Sequence, residues 1–189
     1  MDAIMLALVA VLLANADGRS GIFLSRLLSA RADRHVVVAI AFGVFVLNAI
    51  VGATAGAIAN RMIGQGVAAL LVAFALIFAA IAVGWRSRPA LFDASASEVP
   101  PTKLAGRMLV AQFGDRSHFL IGALAATSGA GQWAAAGGLV GWTIAMLPFL
   151  AFGADLAERR GAHVIRWMSA AILTIWAMRT AMAAFGLIG

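Results

Sequence analysis

The sequence contains no cysteine. Disulfides and thiolate metal sites are therefore excluded, and the redox compartment is left unmarked. Charge is also scarce, at 12% of residues, with eight acids against fourteen Lys and Arg. A soluble domain usually carries about a quarter charged residues. Catalytic signatures are missing: there is no HExxH, no Walker A loop and no GxSxG elbow. His35, His118 and His163 lie too far apart in sequence to form a metal-ligand spacing. The chain is therefore expected not to be an enzyme and to require no cofactor. Basic patches interleaved with aromatics are absent, so the net charge of +6 is not expected to serve nucleic acid.

What the sequence does have is apolar length. Hydrophobic residues make up 63% of the 189, and the mean hydropathy is +0.97. A soluble domain of this size must still cover its surface with polar groups. Lipid is the solvent that fits this composition. A span needs roughly 20 mainly apolar residues, and six of them with short loops use nearly the whole chain. The first sixteen residues end Ala14-Asn15-Ala16, like a signal-peptide cleavage site. A signal peptide also needs a basic n-region, and the first basic residue here is Arg19. The segment is expected to remain as a span.

Apolar segments cover residues 4–28, 36–59, 67–85, 104–128, 133–152 and 164–188. The expected class is an all-α membrane protein with six transmembrane helices. Residues 1–85 form a first three-helix repeat and 104–189 a second. A polar connector at 86–103 holds three of the four prolines. Lys and Arg gather on one side of this plan: Arg26, Arg31, Arg34, Arg86, Arg88, Lys103, Arg107, Arg159, Arg160 and Arg166, against Arg61 and Arg179. Cytoplasmic loops carry such an excess. The connector is thus expected in the cytoplasm and both termini in the periplasm of a bacterial inner membrane.

Two polar interruptions break the apolar pattern. Asn15-Ala16-Asp17-Gly18-Arg19-Ser20 lies in the first span and Gln112-Phe113-Gly114-Asp115-Arg116-Ser117 in the fourth. Each falls in the first helix of a three-span half. An odd number of spans per half inserts the halves in opposite orientations. Many secondary transporters follow this inverted-repeat plan, with substrate bound where broken helices meet near the midplane.

A charge at the centre of a span costs about 2.5–3.5 kcal/mol on insertion scales. Asp17, Arg19, Asp115 and Arg116 must therefore face one another or a wet cavity, and His118 adds a titratable group. Asp–Arg pairs that only join helices are the structural alternative. Their appearance at matching positions in both halves favours function. Gly18 and Gly114 adjoin the charges and allow positive φ, which opens the helix there. Ser20 and Ser117 close the two motifs. Asn48 and Thr143 are expected to make interhelical hydrogen bonds. Residues 134–138 are expected to pack helices closely, without chemistry.

Gln112-Phe113-Gly114-Asp115-Arg116-Ser117 resembles the signature E-x-G-D-[KR]-[ST] of the transmembrane-protein-165 family, the Gdt-type cation/proton antiporters of the lysine-exporter superfamily. That family has six or seven spans in two halves, with a signature in the first helix of each. The resemblance extends to the repeat plan, the central connector and the length. It implies export of Mn²⁺ or Ca²⁺ coupled to protons, with the cation as substrate. It also implies Asp115, Asp17, Gln112 and Asn15 as cation ligands, and Arg116, Arg19, Ser117, Ser20, His118, Gly114 and Gly18 as coupling or supporting residues. Asn15 and Gln112 stand where the family has glutamate, and Asp17-Gly18 reverses the family order. Two acids against two arginines give a net-zero site. That balance keeps open an exporter of a neutral or zwitterionic solute, and a non-transporting membrane scaffold with a decayed ion site. Expected partners are the lipid bilayer, the transported cation and protons, with a homodimer left open.

Overall fold

The computed structural model describes residues 2–85 and 99–188. Most of the connector, with Arg86 and Arg88, lies outside the described residues. Eight α-helices follow in order: α1 Asp2–Ala14, α2 Arg19–Ala30, α3 Arg34–Met62, α4 Gln65–Gly84, α5 Pro101–Gln112, α6 Arg116–Ser128, α7 Gly131–Phe152 and α8 Arg160–Ala184. A short 3₁₀ turn, Ala154–Glu158, joins α7 to α8. Both expected interruptions are real breaks, between α1 and α2 and between α5 and α6. Helices α1 and α2 meet at a bend of 70°.

Among the described residues, three helices, α3, α4 and α7, are long and apolar enough to cross a membrane, and four spans result if the bent α1–α2 pair counts as one. Large apolar side chains cover much of the outer surface, among them Leu47, Ile50, Phe74, Phe78, Leu147 and Ile175. Exposed apolar area on this scale is foreign to a soluble monomer. The helices and the surface together fit a multi-pass membrane protein.

In lipid, apolar contact alone gives helices little reason to associate, so small residues that let backbones approach become important. The core shows this. Helix α1 packs along α7, α3 along α6, and α4 along α8. A Cβ added at Gly56 would collide with the Gly122 carbonyl on α6, and one at Gly137 with the Ile4 carbonyl on α1. Residues 134–138 are therefore close-packing positions, as expected. Gly52 lies within α3 against the His118 carbonyl, whereas Gly153 ends α7 at φ +80°. These two glycines play different parts.

Contacts sort the loops into two ends of the bundle. At one end Arg31 donates to the Val99 carbonyl (2.8 Å), which ties the α2–α3 loop to the approach to α5. The 3₁₀ turn packs on α2 at this same end. At the other end Asn60 donates to the Ala126 carbonyl (2.6 Å), joining the end of α3 to the end of α6. Arg179 lies there too, in a groove with Gln65 and Gly186. Arg31 also forms a bidentate pair with Asp33, at 2.7 Å for each hydrogen bond.

Two predictions follow from this packing. Gly56→Ala must push α3 off α6 and should lower stability by about 1–3 kcal/mol, the usual cost of overpacking. Gly43→Ala, on the same helix with nothing within 4 Å of an added Cβ, should be neutral. Thermal unfolding in detergent compares them. The second concerns acid. The hydrogen bond from Arg31 holds the Asp33 carboxyl below its ordinary range. A depressed folded pKa contributes stability above the unfolded value and loses it as pH falls through the folded one. Below about pH 4, near the free carboxylate value, the melting temperature of the native chain should fall more steeply than that of Asp33→Asn.

Candidate functional site

The two breaks meet. Asn15, almost fully buried, donates from Nδ2 to the Ser117 hydroxyl (2.9 Å) and to the Val11 carbonyl (2.8 Å). Asp17 forms a direct ion pair with Arg116 through Oδ1. Their side chains are only 7% and 10% exposed. Residues about a hundred positions apart are thus bonded twice across one junction. The insertion cost of each charge explains the pairing: an acid and a base buried in apolar surroundings are tolerable when each neutralises the other.

Glycine makes both turns. Gly18 has φ +71° and Gly114 φ +77°, and no other residue type adopts positive φ among the described residues. Gly18 is pressed against the ring of Phe149, whereas Gly114 borders open space. In each half the following helix begins at the arginine of the Arg-Ser pair, α2 at Arg19 and α6 at Arg116. The two helix N-termini, with their partial positive charge, therefore start at the junction. The Asp17 carboxylate answers one of them, accepting a hydrogen bond from the Arg19 N–H (3.3 Å).

Beside the junction lies a cavity of about 480 Å³. Helix α2 lines it with Arg19, Ser20, Phe23 and Leu24. Helix α5 contributes Leu104, Arg107, Met108, Ala111 and Gln112, at the three-and-four spacing of one helical face. Asp115 and Arg116 complete the polar wall, and Ala41, Phe45 and Trp142 form the apolar one. Trp142 stacks on Phe45 with ring centroids 4.5 Å apart, which fixes both rings. Helices α2 and α5 do not pack closely on each other, and the cavity lies between them.

The expected site residues divide between junction and cavity. Gln112, Asp115, Arg116, Arg19 and Ser20 line the cavity, while Asn15, Asp17 and Ser117 belong to the bonded junction. His118 points into the core: its Nε2 lies 3.3 Å from the Phe45 carbonyl, and its ring tilts against Phe45 at 4.7 Å. Several buried atoms lack a partner among the described residues: Asn15 Oδ1, Asp17 Oδ2, Gln112 Oε1, Arg116 Nε and His118 Nδ1. Buried polar groups are nearly always satisfied, so such a concentration marks a place where water or a ligand completes the bonding. Among the described residues, no three His, Asp or Glu side chains gather at one point.

Sequence reasoning missed Arg107, which it counted only as a loop base. The signal was present in the spacing of Leu104, Arg107, Met108, Ala111 and Gln112. Asn48 makes the expected interhelical bond, to the Leu109 carbonyl (3.4 Å). Thr143 does not; its hydroxyl returns to Leu139 of its own helix (2.7 Å). A threonine can satisfy itself in this way within one turn, which no spacing rule separates from a crossing bond. Comparison with family models, curated proteins and solved structures gives no match.

The two glycine turns make a differential prediction. Gly18→Ala must bear the left-handed backbone, roughly 1–2 kcal/mol, and must also displace Phe149. Gly114→Ala bears only the backbone cost. Thermal unfolding should rank Gly18→Ala clearly below Gly114→Ala, and equal losses would contradict the close approach of Phe149.

Proposed function

We propose that the chain is a secondary transporter of a small solute, with six spans arranged as two inverted three-helix repeats. One observation carries this reading: two glycine-hinged helix breaks, far apart in sequence, are bonded together beside a cavity lined by their own polar residues. Broken helices meeting at a site between repeats are the architecture by which many transporters bind substrate. The packing supports the repeat. The broken pair α1–α2 leans on α7 of the other half, the broken pair α5–α6 leans on α3, and α4 and α8 pair with each other.

Sidedness follows from charge. Arg31 and the approach to Lys103 and Arg107 share one end, and Arg61 and Arg179 lie at the other. With basic ends inside, the cavity opens toward the cytoplasm and the α1–α6 contact closes the periplasmic side. The Arg-Ser motif pair and the resemblance to Gdt-type antiporters favour exchange against protons, with Asp115 as the proton-carrying group at the cavity wall. A divalent cation is a second reading, favoured by the unpartnered oxygens of Asn15, Asp17 and Gln112. Hard cations take such oxygen ligands.

Reconstituted vesicles with a trapped pH indicator test transport. External Mn²⁺, Ca²⁺, amino acids and aliphatic carboxylates are offered in turn under a pH gradient. At least one should drive proton movement, and Asp115→Asn should abolish it. A folded protein that moves none of them would support a scaffold role instead. Gln112→Glu separates the cation reading. It adds a carboxylate oxygen pair beside Asp115, which hard cations take as ligands. Mn²⁺ should then stabilise the variant against heat more than it stabilises the native chain. Absence of any Mn²⁺ response in both would count against a cation site.

A further inference from the structure

The charge of the cavity wall is one-sided. Among the described residues, three guanidinium groups, Arg19, Arg107 and Arg116, face it with a single carboxylate, Asp115. The other acid of the junction, Asp17, is committed to Arg116 and does not line the cavity. We infer that this cavity binds a small amphipathic carboxylate, its anionic head held by Arg19 and Arg107 and its apolar body laid on the Phe23, Phe45 and Trp142 side. This rests on the cavity being the transport site proposed above.

The chemistry supports a carboxylate over a bare cation. A divalent ion would enter a wall whose uncompensated charge is positive, and like charges repel strongly where water is sparse. A carboxylate meets two exposed arginines whose planar forks suit bidentate hydrogen bonding. Arg116 keeps a buried Nε without a partner, although its terminal nitrogen is paired with Asp17. The N-termini of α2 and α6 add partial positive charge on the same side. The remaining wall is apolar and held rigid by the stacked Phe45 and Trp142 rings. A volume of about 480 Å³ is at the smaller end of ligand pockets and accommodates an aromatic or branched body. Asp115 is the one carboxylate lining the cavity among the described residues and can hold an ammonium, so an amino acid and a simple carboxylate share the head-group chemistry but differ at Asp115.

Binding to the full-length protein in detergent is measured by calorimetry with phenylacetate, phenylalanine, phenethylamine, phenyl phosphate and Mn²⁺. Phenylacetate or phenylalanine should bind, and phenethylamine should not. Phenylalanine binding more tightly, with the advantage lost in Asp115→Asn, identifies the zwitterion; equal binding identifies the anion. Arg107→Gln alters an exposed side chain, so the variant should fold. It should weaken carboxylate binding about tenfold or more, the loss expected for one hydrogen bond to a charged group. Arg26→Gln, on α2 but outside the cavity, should leave binding unchanged. Phenethylamine or phenyl phosphate binding more tightly than the carboxylates would overturn the inference, as would carboxylate binding insensitive to Arg107→Gln. Mn²⁺-driven flux without carboxylate binding would sink the inference and leave transport standing. Carboxylate binding without flux of any solute would do the reverse.

Discussion

The ion pair between Asp17 and Arg116 is the constraint on which the rest of the structure depends. Neither charge can be held alone in an apolar bundle without a cost that rivals the stability of a whole helix pair. Because the two residues sit in different halves of the chain, neutralising them draws both helix breaks to one point. Asn15 and Ser117 add a second, uncharged bond at the same place. Once the breaks are joined, α1 lies beside α6, the α1–α2 pair rests on α7, and the α5–α6 pair rests on α3.

Glycine supplies the freedom this arrangement requires. Gly18 and Gly114 turn the chain so that the polar residues between helices face inward instead of lipid. Gly56, Gly122, Gly137 and Gly141 let α3 meet α6 and α1 meet α7 at backbone distance. The same tight packing is absent between α2 and α5, and the cavity occupies that space. One part of the bundle is therefore closed by small residues, and another is held apart by Phe23, Phe45, Met108 and Trp142. In the transporter proposed above, solute would bind between the packed region and the open one, at a site between repeats.

Much of this was legible in the sequence. The positions of both breaks could be read because charges inside apolar runs are costly and therefore rare. The close packing at residues 134–138 was legible for a similar reason, since membrane helices have few other ways to associate. The pairing within the junction was not. Two acids and two arginines allow several combinations, and only the helix rotation set by each glycine turn selects Asp17 with Arg116. The exchange of order, Asp17-Gly18 against Gly114-Asp115, puts one carboxylate before the positive-φ glycine and the other after it. It places Asp17 in the junction and leaves Asp115 on the cavity wall. Arg107 escaped notice because a base near a helix start looks like any loop charge until its helical face is traced to Gln112. Thr143 shows the opposite failure, where a polar group mid-span satisfies itself within one turn.

The central structural feature is that the two breaks meet. The absence of cysteine makes this directly measurable, because Asn15→Cys with Ser117→Cys introduces the only two thiols in the chain. Treatment of native membranes with a short thiol cross-linker, followed by cleavage of the polypeptide within the 86–98 connector, reports whether the halves stay joined. The structure predicts rapid cross-linking that holds the two fragments together, matched by neither single variant. Fragments that separate fully, despite complete reaction of both thiols with the reagent, would contradict it.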